Sequence, residues 1–91
     1  MKQAKLNIHD HLMPNSVKIY LPKQIRGKIK GKEVVIKEIN NEILIREACL
    51  MDNKILTISN CNTFTYTAMN AKNLIGSYFY EIDGDYIVLY K

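Results

Sequence analysis

Six cationic side chains, Lys18, Lys23, Arg26, Lys28, Lys30 and Lys32, fall within fifteen residues that contain no Asp or Glu. Ammonium and guanidinium groups at this density suit one kind of chemistry: pairing with phosphates and releasing their counterions. Arg26 has a planar fork able to meet a guanine edge through two hydrogen bonds, whereas the lysines are point charges suited to phosphate oxygens. The charge is one-sided along the chain. Residues 1–46 hold ten Lys/Arg against four Asp/Glu, a balance of +6, and residues 47–91 hold three against five, −2, which sum to the formal +4 of the whole. A solvated face on a small domain has the same composition, so the cluster marks a surface before it marks a ligand.

Other residue types offer less. His9-Asp10-His11 sets two imidazoles on one face of an extended segment, but no nearby Cys or third histidine completes a ligand set, so no metal is expected. Cys49 and Cys61 are the only cysteines; without paired spacings they read as reduced, buried small hydrophobes. Asp83 and Asp85 flank a glycine, where Asp serves the turn. Phosphate-loop, nucleophile-elbow and Cys-His-Asp patterns are all missing, so neither enzyme activity nor a cofactor is expected. Five of the six tyrosines lie in the acidic half. They do not interleave with the lysines as a base-stacking platform would; half-buried strand positions with exposed hydroxyls, or a protein-binding surface, fit them better.

The elements that must position these groups are short. At 91 residues and 47% hydrophobic content the chain has room for one domain, residues 1–91, with a modest core that closure or pairing would help to stabilise. The first fourteen residues hold no continuous apolar region of a signal peptide, and no apolar run is long enough to span a bilayer; a soluble, cytoplasmic protein with no membrane association is expected. Turn signals at Pro14-Asn15-Ser16, Gly31-Lys32, Asn40-Asn41, Asp52-Asn53, Asn60-Cys61-Asn62, Gly76-Ser77 and Asp83-Gly84 cut the sequence into strand-sized pieces. Val17, Ile19 and Leu21 alternate with Lys18 and Tyr20 at the period of a half-buried strand. Val34–Ile39 and Glu42–Arg46 flank Asn40-Asn41, and Tyr78–Ile82 and Asp85–Tyr90 flank Asp83-Gly84, so two hairpins are expected.

The hairpins also expose an internal repeat. Glu38–Ile45 aligns with Glu81–Val88 without a gap, and Ile19–Gly31 with Phe64–Gly76, a two-residue deletion joining the registers; Lys5–Ile8 corresponds weakly to Lys54–Ile58. Repeat one covers approximately residues 4–46 and repeat two approximately 53–91, each a ββαββ-like unit. Pro22 at a first helical position, Ile25 and Ile29 on one face, and Gly31 beyond them predict a helix of two turns or fewer. In the second copy Thr67 is the expected N-cap, with Ala71, Leu74 and Ile75 inward and Gly76 past the end.

The run Lys18-Ile19-Tyr20-Leu21-Pro22-Lys23-Gln24-Ile25-Arg26 resembles the signature of the AbrB/MazE/MraZ group of swapped-hairpin transcription factors: an alternating basic strand ending in Leu-Pro, then Lys-x-Ile-Arg opening a short helix, then a hairpin. The resemblance covers residues 15–46 well and 62–91 as a worn copy. It implies a mostly β fold, a β-barrel with short helices of swapped-hairpin or double-psi-like type, closed within one chain as a monomer or between two as a homodimer. It also implies binding of double-stranded DNA at Lys18, Lys23 and Arg26; charge alone adds Lys28, Lys30 and Lys32. Val17 stands where the family usually has glycine, and Thr63, Thr67, Ala68 and Ala71 replace the proline and basic positions in the second copy, which is therefore not expected to bind phosphates. A DNA-binding transcriptional regulator is the leading expectation. The alternative is a protein-binding module, an antitoxin or small inhibitor from a mobile element, using the tyrosine-rich half; the chain's end at Lys91, directly after a strand, argues against a tail that wraps a toxin.

Overall fold

A computed structural model describes residues 5–91. Eight strands form one sheet: β1 (Lys5–Asp10), β2 (Ser16–Tyr20), β3 (Glu33–Ile39), β4 (Glu42–Glu47), β5 (Leu56–Thr57), β6 (Thr63–Thr67), β7 (Gly76–Asp83) and β8 (Tyr86–Tyr90). The helical parts are one turn each, α1 (Lys23–Arg26) after β2 and a 3₁₀ turn, Ala71–Leu74, after β6. The expected β-barrel with short helices is therefore what the chain forms.

Alternation drives the strands. Val17, Ile19 and Leu21 are fully buried while Lys18 and Tyr20 face out, and the same period puts Ile43 and Ile45 of β4 and Ile87 and Leu89 of β8 inside. Ile25 and Ile29 close over them from the segment after β2, and Phe64, Tyr78 and Ala71 complete the core from the second half.

The sheet order is β5-β3-β4-β8-β7-β1-β2-β6, with every pairing antiparallel. Its two ends meet where the Ser59 amide donates to the Thr63 carbonyl at 2.7 Å, and Leu21 N–H to Asn62 O at 2.8 Å seals the same corner. The ring that results is unchanged when β1–β4 are exchanged for β5–β8. Each hairpin joins the first strand of the other half, β3–β4 to β5 and β7–β8 to β1. Of the two expected arrangements, hairpin exchange describes this pairing. The two halves meet along four seams, β3–β5, β4–β8, β7–β1 and β2–β6, of which β2–β6 and β4–β8 lie on opposite sides of the ring.

Several local expectations need correction. Both hairpins form, but the second turns on Gly84-Asp85, since Asp83 pairs with Tyr86. Gly84 takes φ 61° at the first loop position, which glycine does at no steric cost. The gapless repeat alignment is therefore one residue out of register: moving it by one matches Ile43 and Ile45 with Ile87 and Leu89, all buried, in place of Tyr86 and Val88. At the first loop Asn40 and Asn41 both adopt positive φ, 50° and 67°, as a tight two-residue hairpin requires. Pro22 is the residue before α1, with ψ 152°, and Gly27 ends the helix after a single turn. Thr67 does not cap a helix. It ends β6, its hydroxyl 2.7 Å from Ser16 Oγ, and the β2–β6 ladder continues through Ala68 N–H to Asn15 O, so the 3₁₀ turn starts only after left-handed Asn70. Ile75 is exposed there. Cys49 and Cys61 are free but exposed, because each sits in a turn outside the alternating pattern.

One polar bond crosses from β6 to β3: Tyr66 Oη donates to Glu38 Oε2 at 2.7 Å. Burial first, and Glu38 second, push the phenol up to about 12 from an ordinary 10.0. The folded chain thus holds this proton more tightly than the unfolded chain does. The resulting stabilisation is fully present below about pH 10 and is lost as pH rises through about 12. Urea midpoints measured between about pH 9 and 11 should fall more steeply for the native chain than for Tyr66→Phe. Replacing Ile19 with Ala should cost about 2–5 kcal/mol in the same assay, against about 0.5 kcal/mol or less for Lys18→Ala one residue away.

Candidate nucleic-acid interface

Strand β2 presents Lys18 at the middle of its outer face, opposite Thr65 of β6 and His9 of β1. Hydroxyls surround it. Ser16 and Thr67 form one cross-strand pair, Tyr20 and Thr63 the other, and Thr63 Oγ1 lies 2.8 Å from Ser59 Oγ. Lys18 also lines a depression of about 650 Å³ with the β1–β2 turn and Lys72. Lys72 Nζ bonds the Asp10 carboxylate, and donates to the His11 carbonyl at 2.6 Å. This bond to Lys72 is the main reason the Asp10 carboxyl sits below its usual range. His11 Nδ1 accepts the Met13 amide at 3.3 Å, so Asp10 and His11 serve the turn. Among the described residues no three His, Cys, Asp or Glu side chains are grouped to hold a metal.

The segment after β2 carries the other cations. Lys23 is exposed on α1. Arg26 is half-buried and partly engaged within the chain: its Nη1 donates to Ile29 O at 2.7 Å, and its Nε is buried with no partner. The Arg26 side chain reaches forward from the end of the single-turn helix and braces the loop ahead. That loop is pinned a second time by Glu47, whose Oε1 accepts the amides of Lys30 at 2.5 Å and Gly31 at 3.1 Å. Lys28 and Lys30 consequently stand exposed on a fixed backbone. They line a groove of about 740 Å³ at one end of the barrel, against Arg46, Cys49 and the β7–β8 turn. Lys32 is exposed beside it, its carbonyl accepting the Ile58 amide at 2.6 Å.

Arg46 contributes little free charge to this groove. It makes a fork-to-fork pair with Asp52 at 2.9 and 2.7 Å. Those bonds hold the Asp52 carboxyl well below the usual carboxylate range and the guanidinium firmly protonated. The groove at the opposite end of the barrel, about 500 Å³, is lined by Glu38, Glu42, Asn73 and Lys91, so Asn73 lies where the first end has lysines.

The structure thus divides the six sequence-predicted cations. Lys28 and Lys30 share one groove; Lys18 lies on the β2–β6 face beside a different depression; Lys23 and Lys32 are exposed; Arg26 is half-buried with its Nη1 on Ile29 O. Sequence reading missed Lys72, which reaches Lys18's depression from the 3₁₀ turn, and Glu47, which orders the lysine loop. Neither has a local signal, because both act across long sequence separations. No helix among the described residues is long and apolar enough to cross a membrane.

No protein-family profile matches the chain, and neither the curated proteins nor the solved structures compared with it give a match.

Replacing Glu47 with Ala removes the acceptor for two loop amides. Hydrogen exchange at Lys30 and Gly31 should accelerate about tenfold or more, while the amides of β2 keep their protection.

Proposed function

We propose that this protein binds double-stranded DNA and acts as a transcriptional regulator of the AbrB type. The observation that carries the reading is the loop after β2, where Lys28 and Lys30 project from a backbone that Glu47 and Arg26 hold in place. Cations fixed on a rigid loop lose little freedom on meeting phosphates, and the +6 balance of residues 1–46 supplies the long-range attraction. Lys18 on β2, Lys23 on α1 and Lys32 just before β3 extend the same chemistry. The hairpin exchange between halves agrees with the architecture that the resemblance implies. On this reading, base discrimination would rest on Arg26, whose Nη1 is shared with Ile29 O, and on the outward-facing Lys18, Tyr20 and Thr65 of the β2–β6 face.

A second reading, a module that binds another protein, is favoured by one observation: Leu12, Leu50, Met51 and Met69 stand almost wholly exposed at loop tips. Isolated apolar tips are ordinary, but four long ones on a chain this small suit a partner's pockets.

Fluorescence anisotropy of a labelled duplex over a salt series tests the first reading. The expected result is affinity that falls steeply as salt rises; substituting Ala at Lys18, Lys23, Lys28 and Lys30 together should flatten the slope of log K against log salt by about 3–4 with an unchanged circular dichroism spectrum. Absence of binding at low salt overturns the reading and leaves the second.

A further inference from the structure

The two end grooves occupy matching places in the two halves, so each serves as a control for the other. With the hairpins aligned on their buried residues, Ile82 and Tyr86 correspond to Glu38 and Glu42. The repeat likewise sets Lys28 against Asn73. Both sets of residues line their grooves. The smaller groove, about 500 Å³, is walled by the two carboxylates; the larger, about 740 Å³, has an aliphatic side chain and a phenol in their place and two lysines from the loop after α1.

These differences favour one kind of occupant. Lys28 and Lys30 are exposed, and among the described residues neither ammonium is in an ion pair. Two neighbouring charges are already engaged: Arg46 pairs with Asp52, and Glu47 Oε1 accepts two loop amides. Asp85 is an acidic neighbour on the β7–β8 turn, not on the lysine loop, so an anion is directed to the lysines. Ile82 is 42% exposed and Tyr86 half-buried, and together they offer a flat ring the apolar wall that Glu38 and Glu42 deny it in the other groove. The volume falls within the range of about 300–1,000 Å³ usual for small-molecule sites. Point cations for a phosphate beside an aromatic and aliphatic wall for a planar base are the requirements of a nucleotide.

We infer that this groove binds a free nucleoside monophosphate, its phosphate on Lys28 and Lys30 and its base against Tyr86 and Ile82. The binding is independent of the DNA-binding reading. One consequence rests on that reading: a bound nucleotide occupies lysines that duplex phosphates need, and so acts as an effector that releases DNA.

Titrating the full chain with adenosine monophosphate, followed by amide chemical shifts, tests the site. The dissociation constant should be about 1 mM or below, with shifts at Lys28, Lys30, Asp85 and Tyr86 and none at Asn41, Glu42 or Asn73. Inorganic phosphate and adenosine, each supplying half of the ligand, should bind about tenfold or more weakly. The K28A/K30A double variant should weaken the nucleotide about tenfold or more. Tyr86→Leu should weaken it about fivefold or more and leave phosphate binding unchanged. Ile82→Glu, at an exposed position, makes the same test of the apolar wall should Tyr86→Leu fail to fold by circular dichroism. Absence of shifts at about ten times the expected constant, equal affinity for inorganic phosphate, or shifts centred on the Glu38 and Glu42 groove overturns the inference. A single-stranded tetranucleotide bound more than about tenfold tighter than the mononucleotide also overturns it, since the groove then belongs to a strand. Nucleotide binding without duplex binding leaves the site standing and removes only its effector role.

Discussion

The rest of the structure depends on closure of the sheet at its shortest strand. An eight-stranded antiparallel sheet left open would present two rows of unpaired backbone groups, ready to recruit another chain. Here β5 contributes two residues only, and the sheet is nearly closed by the Ser59 amide on Thr63 O, while Leu21 to Asn62 and Ile58 to Lys32 extend the flanking β2–β6 and β3–β5 ladders. Because those bonds fix the corner between β2 and β6, Val17, Ile19 and Leu21 have one inside to point to, and Lys18 has one outside. The outward position of Lys18 follows from that corner, while Lys28 and Lys30 depend also on the bonds of Arg26 and Glu47.

Exchange of hairpins between the halves is what allows so short a chain to close. If β3–β4 packed only on its own β1–β2, each half would form a small sheet with an unprotected apolar face. By pairing with β5 and β1 and with each other along β4–β8, the two hairpins stitch the halves together and bury Ile43, Ile45, Ile87 and Leu89 against Ile8 and Ile19 in one cluster. The halves have nonetheless diverged where they face solvent. The loop after β2 is braced by Arg26 and Glu47, whereas the loop after β6 begins from a left-handed Asn70 and forms a 3₁₀ turn.

Much of this architecture was legible in the sequence, for definable reasons. Alternation through Val17–Leu21 and the Asn40-Asn41 turn are local patterns, and local patterns decide strand faces and tight turns. The shift of the second hairpin to Gly84-Asp85 was not legible, because Asp83-Gly84 and Gly84-Asp85 are equally good turn dipeptides and the choice is made by which residues of β8 reach the core. The cation cluster could be read as a cluster but not as a site. Nothing around Arg26 signals that its guanidinium turns inward to Ile29 O, and Lys72, though next to Asp10 in space, is 62 residues away along the chain. The cysteines misled for a related reason: their small apolar side chains suit interiors, but the turns that hold them lie outside the strand pattern.

The two end grooves give the molecule a direction. Lys28 and Lys30 stand at the end where β4 finishes, with Glu47 and Asp85 beside them, and Glu38 and Glu42 stand at the end where it begins, with Lys91. Charges of both signs thus share each end, so the two ends differ in which cations stand free on a braced loop rather than in a field along the barrel axis.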